Sequence, residues 1–207
     1  MKINNRTNYE KRIQDRSYLR YLIGLIVRFK NNIKYSFARY IAKRNGAQIG
    51  EGVIMSISLA KKMNSNCKIG NHVSIQTDQI DTRAPLYIGN HVVIGGGGTK
   101  IITGSHNIDS LEWEYKKYGL FIEDYVWIPT NVLILPSCRN IKYGAVVGSG
   151  SVVVKNVESM SVISGNPAYE FKKRKCVHEN IVVESLLGGD YYIYKKTWKE
   201  RKACRTI

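Results

Sequence analysis

Of the four histidines in this chain, His106 has the setting that could do chemistry. It sits in Thr103-Gly104-Ser105-His106-Asn107, where a regular pattern of aliphatic residues breaks off. An imidazole of near-neutral pKa can take the proton of a weak nucleophile and return it to a leaving group in one turnover. His72 and His91 each follow Gly-Asn and read as outward, solvated turn residues, and His178 lies in a basic tail. The four cysteines (Cys67, Cys138, Cys176, Cys204) form no CxxC pair. That argues against a zinc site or a disulfide framework and fits a reducing compartment.

The elements that must hold His106 follow from a six-residue period. Ile122, Ile128 and Ile134 are followed, after one extra residue, by Ile141, Val147 and Val153. Upstream the unit reads Ile49-Gly50-Glu51-Gly52-Val53, Ile69-Gly70-Asn71-His72-Val73 and Ile88-Gly89-Asn90-His91-Val92. Six fits neither a helix nor a simple alternating strand. It fits a chain that turns a corner every six residues, with Gly and Asn or Asp tolerating the tight backbone there. Three units close a triangular coil, and stacked coils bury a column of Ile and Val. Residues 46–165 are expected to form this solenoid. The stretch 103–120 interrupts it as a loop, and insertions in repeat arrays sit on one face, often the binding face.

The flanks differ from the solenoid in charge. Residues 1–44 hold 12 Lys/Arg against 2 acids, residues 172–207 hold 10 against 4, and the stretch between is neutral, within a total of +16. Residues 1–45 are read as a basic helical segment and 166–207 as a basic C-terminal tail. Leu19, Leu22, Ile23, Ile26, Ile33, Phe37 and Tyr40 recur at spacings of three and four, as on one helical face. Residues 10–44 therefore either lie on a membrane surface or pack on the open end of the solenoid. The apolar run from Tyr18 is too short and too interrupted by Arg20 and Arg28 to span a bilayer. No nucleic-acid-binding signature is present, so no nucleic acid partner is expected. The polar N-terminus carries no secretory pattern, which points to the cytoplasm, with the basic helix suiting the inner face of the membrane.

Beyond these readings, specific runs resemble the hexapeptide-repeat acetyltransferase superfamily. They are Tyr125-Val126-Trp127-Ile128, Ile134-Leu135-Pro136-Ser137, Gly144-Ala145-Val146-Val147-Gly148-Ser149-Gly150-Ser151-Val152-Val153 and Val162-Ile163-Ser164-Gly165-Asn166-Pro167-Ala168, with the Thr-Gly-Ser-His loop. The style is that of the galactoside/maltose O-acetyltransferase branch and of bacterial surface-polysaccharide O-acetyltransferases. Pro129, Ser137 and the extra Asn140 depart from the pattern.

The resemblance implies a left-handed parallel β-helix, a homotrimer, acetyl-CoA as co-substrate in a groove between two subunits, and no metal. It implies that His106 is the general base in direct transfer to a hydroxyl of a capsule, O-antigen or exopolysaccharide. Positions matching the cofactor-binding ones are Trp127, Thr130, Ser149 and Lys155. Lys173 and Arg174, in the basic run after the Asn-Pro-Ala exit, are either phosphate partners or a solvated face. Trp127 is alternatively a wall at the subunit contact. Gln76, Asp78 and Asp81 occupy the acceptor-binding region, Asp81 being the first choice. Trp113, Tyr115 and Tyr118 could cover a sugar, since aromatic faces stack on sugar C–H surfaces. Competing readings are a small-molecule acetyltransferase, with a free sugar, amino sugar, serine or drug as acceptor, and a non-catalytic scaffold.

Overall fold

The computed structural model describes residues 8–203. The six-residue period becomes strands of two or three residues that visit three parallel sheets in turn. The first sheet takes Gln48–Ile49, Cys67–Ile69, Leu86–Ile88, Leu120–Ile122 and Asn140–Ile141. The second takes Ser74–Ile75, Val93–Ile94, Trp127–Ile128, Val146–Val147 and Ser161–Gly165, and the third Lys100–Ile101, Leu133–Ile134 and Val152–Val153.

Register puts one aliphatic residue per strand over its equivalent in the next coil. Ile49, Ile69, Ile88, Ile122 and Ile141 stack in the first sheet. Ile75, Ile94 and Ile128 stack in the second, and Ile101, Ile134 and Val153 in the third. All are at most 7 % exposed. Each such side chain contributes roughly 1.5–3 kcal/mol on burial, and β-branched residues suit the extended backbone that carries it. The residue before each points outward, giving the second sheet an outer row of Ser74, Val93, Trp127 and Val146.

The corner between the first and second sheets is left-handed in every coil, with φ of 64° at Gly52, 55° at His72 and His91, 59° at Tyr125 and 65° at Gly144. The expectation that His72 and His91 are solvated holds in part, both being half-buried with 39 % of the His72 side chain exposed. The corner side chains stack into a column, with ring centroids 5.0 Å apart for His72–His91 and 4.9 Å for His91–Tyr125. His72 Nδ1 lies 2.5 Å from Glu184 Oε1. What covers the corner is the C-terminal segment, which a local repeat pattern gave no way to place there.

One end is closed by helices and the other by an antiparallel strand pair. After α1 (Asn8–Gln14), Ser17 caps α2 (Tyr18–Arg44). Ala38 and Ala42 of α2, with α3 (Ile57–Lys62), pack on the first coil and cover its apolar interior. At the other end Ala168–Lys173 pairs antiparallel with Ser161–Gly165 across a cis Asn166–Pro167 bond. The chain then returns to α2. Arg174 donates to the carbonyls of Tyr125 and Gly144, Glu184 meets His72, and α4 (Tyr191–Ala203) stacks Trp198 on Tyr21 with centroids 4.2 Å apart. The two basic ends thus lie together. No described helix is long and apolar enough to cross a membrane.

Candidate functional site

Stacked neighbours Ile69 and Ile88 are 19 residues apart in sequence, as are Ile122 and Ile141, but Ile88 and Ile122 are 34 apart. The surplus forms a hairpin that leaves the third sheet after Ile101, with Gly104–His106 antiparallel to Tyr115–Lys117 and His106 opposite Tyr115. Gly104 leaves room for the end of the Tyr115 ring, which a Cβ there would displace. Tyr115 thereby turns a ring edge toward His106, centroids 5.4 Å apart at 66°.

The hairpin also fixes the His106 tautomer. Its Nδ1 lies 2.6 Å from the carbonyl oxygen of Trp113. A carbonyl can only accept, so Nδ1 carries the proton and Nε2 of the neutral ring is left as a base. Trp113 holds that carbonyl in place from a left-handed conformation, φ 49°. Nε2 has no hydrogen-bond partner among the described residues, and the side chain is exposed at the hairpin edge. A tautomer-fixed, accessible imidazole can act as a general base.

Asp81 stands in the coil below. Its N–H donates to Ile101 O at 3.0 Å, and Thr103 Oγ1 donates to its carbonyl at 3.3 Å, directly under the hairpin root. Its carboxylate accepts from Arg83 through the backbone N–H (3.1 Å), Nε (2.8 Å) and Nη2 (3.1 Å). Burial opposes ionisation, but the Arg83 bonds outweigh it and hold the carboxyl at about 2. The Arg83 guanidinium lies 5.0 Å over the Tyr115 ring. A chain of contacts thus runs from Asp81 through Arg83 and Tyr115 to His106. Arg83 was not singled out in the sequence; its spacing of two from Asp81 was the signal that could have found it.

The remaining predicted residues divide. Gln76 and Asp78 lie one coil below on exposed backbone, Gln76 Nε2 3.5 Å from Ser74 Oγ and Asp78 accepting from Ser58 at 3.1 Å. Thr130 and Ser149 are exposed at successive turns of the corner between the second and third sheets. At that corner Gly97, Gly98 and Gly150 are exposed, while the N–H groups of Gly95 and Gly148 are taken up by Ile128 O and Ile163 O. Lys155 is exposed just after the third sheet, on the corner from which the hairpin departs two coils earlier.

Trp127 is elsewhere, on the outer face of the second sheet. It borders a cleft of ≈ 280 Å³ shared with His91, Tyr125, Arg174, His178 and Leu186. Arg174 is spent on the Tyr125 and Gly144 carbonyls at 3.0 and 3.2 Å. Lys173 bonds Ser161 Oγ at 2.9 Å and Glu170 at 3.0 Å. Of the three basic candidates, Lys155 alone has no partner among the described residues. The site's residues therefore fall into one group around the third sheet and another on the second.

No protein-family model matches the chain. Among curated proteins it is 32 % identical over 109 residues to a chloramphenicol acetyltransferase of Klebsiella aerogenes, covering 43 % of this chain and 51 % of the relative. It is 33 % identical over 91 residues to a galactoside O-acetyltransferase of Lactococcus lactis, covering 42 % and 43 %. The chain spans about half the length of these relatives. Among solved structures it resembles a hexapeptide-repeat-containing acetyltransferase of Vibrio cholerae O1 biovar eltor complexed with acetyl-coenzyme A. That match has 24 % identity, 77 % and 92 % coverage and a TM-score of 0.51. The structural likeness speaks to the fold, and the sequence likenesses are to acetyltransferases.

Proposed function

We propose that this chain is an acetyl-CoA-dependent O-acetyltransferase of the hexapeptide-repeat superfamily, built as a left-handed parallel β-helix. Its acceptor is a sugar hydroxyl of a bacterial surface polysaccharide or of its precursor. The observation that carries the reading is His106, tautomer-fixed by Trp113 O with Nε2 free, on the one long insertion in the coil.

In this mechanism the acceptor hydroxyl lies against Nε2. Its proton passes to Nε2 as its oxygen attacks the thioester carbonyl, and the imidazolium then protonates the departing thiolate. Trp113 O holds the ring throughout and is better bound by the imidazolium than by the neutral ring, which favours the charged stage of the reaction. Asp81, kept ionised and fixed by Arg83, accepts hydrogen bonds from acceptor hydroxyls, while Tyr115 and Trp113 offer ring faces to the sugar. The corner with Thr130 and Ser149 fits the pantetheine arm of coenzyme A, which carries amides but no charge, and Lys155 fits the phosphates at the other end of that ligand.

A homotrimer with the groove between copies, working in the cytoplasm, completes the proposal. A small-molecule acceptor is the second reading, favoured by the likeness to a chloramphenicol acetyltransferase. The deciding experiment supplies purified protein and acetyl-CoA with de-O-acetylated polysaccharide, with galactosides and maltose, and with chloramphenicol, reading thiol release. Transfer to polysaccharide with a much higher kcat/KM supports the first reading. Transfer to a small acceptor alone supports the second, and no transfer to any, with acetyl-CoA unbound, removes both.

A further inference from the structure

An amphipathic helix on a water-soluble surface turns its large apolar side chains inward. Helix α2 leaves a row of large apolar side chains outside. Against the protein it sets Tyr21, Gly24, Tyr35, Ala38 and Ala42, Gly24 lying so close to Tyr194 that a Cβ would meet the hydroxyl at 2.6 Å. Outward it sets Leu19, Ile26, Phe29, Ile33, Phe37 and Tyr40, which are 50–68 % exposed. At 3.6 residues per turn these six fall within an arc of about 80°, on a stripe about 32 Å long.

The orientation is built in. Arg28 Nε donates to the buried Asp190 carboxylate at 2.9 Å with its guanidinium 4.0 Å over Tyr194. Asn31 and Tyr35 donate to Leu187 O at 3.0 and 3.3 Å, and Arg39 to Val53 O at 3.0 Å. Rolling the apolar stripe inward would break all of these and bury charge.

The rim of the stripe says what covers it. Helix α2 carries seven Lys/Arg and no acid. Lys30 and Lys34 border the stripe and are exposed, with no carboxylate partner among the described residues. A second copy docked face to face would set these cations against themselves. An anionic bilayer surface meets both features, the apolar stripe entering the acyl boundary and the rim meeting acidic headgroups.

We infer that α2 is a monotopic anchor that lays this protein on an anionic lipid surface through its Leu19–Tyr40 stripe. This is independent of the acetyl-transfer proposal. The test is flotation of the purified full chain with vesicles of phosphatidylcholine alone or mixed with phosphatidylglycerol. Binding is expected on the mixed vesicles only, falling by about tenfold or more in high salt and in Lys30→Glu/Lys34→Glu. It should be lost in Ile26→Glu/Ile33→Glu with the circular dichroism spectrum retained. Neither double variant touches the acceptor site, so acetyl transfer to a soluble acceptor stays as in the wild type. Wild-type protein that fails to float with mixed vesicles at low salt overturns the inference. So does Ile26→Glu/Ile33→Glu splitting an oligomer by light scattering without changing flotation, since the stripe would then be a protein interface.

Discussion

His106→Asn is the substitution that separates the two nitrogens of the imidazole. An asparagine amide nitrogen takes roughly the place of Nδ1, so the bond to Trp113 O (2.6 Å in the wild type) survives in the variant and the hairpin stays. What is lost is Nε2. A positioned general base is worth about 10²–10⁴ in rate, or roughly 3–5.5 kcal/mol of transition-state stabilisation. The side chain is exposed, so the cost to folding is within about 0.5 kcal/mol, a Tm change of roughly 1–2 °C for a chain of this length. The assay is thiol release from acetyl-CoA with an acceptor the wild type turns over, alongside a thermal melt. The expected result is kcat/KM down at least a hundredfold with KM for acetyl-CoA and Tm nearly unchanged. A loss under tenfold would refute the role of Nε2. A large loss accompanied by a fall in Tm of more than about 5 °C would mean that His106 holds the hairpin and does not act as the base.

Four further outcomes follow from the structure. Arg83→Gln removes the partner that holds the Asp81 carboxyl at about 2. Because that value is depressed, the stabilisation is present above the unfolded value near 4 and is lost as pH falls toward 2. With the guanidinium exposed, solvent screening keeps the contribution small. Urea midpoints of the two proteins should therefore differ at pH 6 and converge near pH 2. His91 is held below the ordinary histidine range by burial and by His72, so its contribution exists above that range and is lost as pH falls through it. His91→Tyr, which copies the residue at the next corner, should flatten the decline of Tm between pH 7 and pH 5. Arg174→Ala loses two hydrogen bonds from a charged donor, about 2 kcal/mol, and should lower Tm by roughly 4–8 °C without moving KM for acetyl-CoA. Lys155→Ala should raise that KM severalfold and leave Tm alone.

The coil was legible because its signal is local. Each buried Ile or Val is six residues from the next, and the corner Gly and Asn mark the turns, so the inward columns could be named residue by residue. The place of His106 on an insertion was legible because the period fails there. The rest depends on contacts distant in sequence. Glu184 reaches His72, Asp190 reaches Arg28 and Trp198 reaches Tyr21, and no repeat or spacing announces them. The same long-range packing decided which face of α2 points out. Periodicity identified the stripe but not its direction, because the Gly24, Ala38 and Ala42 face takes its partners from Tyr194 and the first coil. Arg174 was read as a phosphate partner or solvated cation since its acceptors, the Tyr125 and Gly144 carbonyls, lie on other turns of the coil.

The division of the site residues bears on how many chains make one active centre. His106, Asp81, Thr130, Ser149 and Lys155 gather about the third sheet and its two corners. Trp127 faces out from the second sheet into a cleft roofed by the C-terminal segment. Trp127 and the His106 hairpin stand on different sheets of one chain, and a groove between copies of the proposed trimer would set the Trp127 face of one against the His106 hairpin of the next. Co-expressing His106→Asn with Trp127→Ala tests this. If His106 and Trp127 of a site come from different copies, random mixing of equal amounts restores both residues in about a quarter of the sites. Activity should then reach about a quarter of wild type, above that of either variant alone. If both come from the same copy, no site is restored and the mixture has only the mean activity of the two variants. That second outcome, with a trimer confirmed by light scattering, would refute the shared site while leaving His106 as the base.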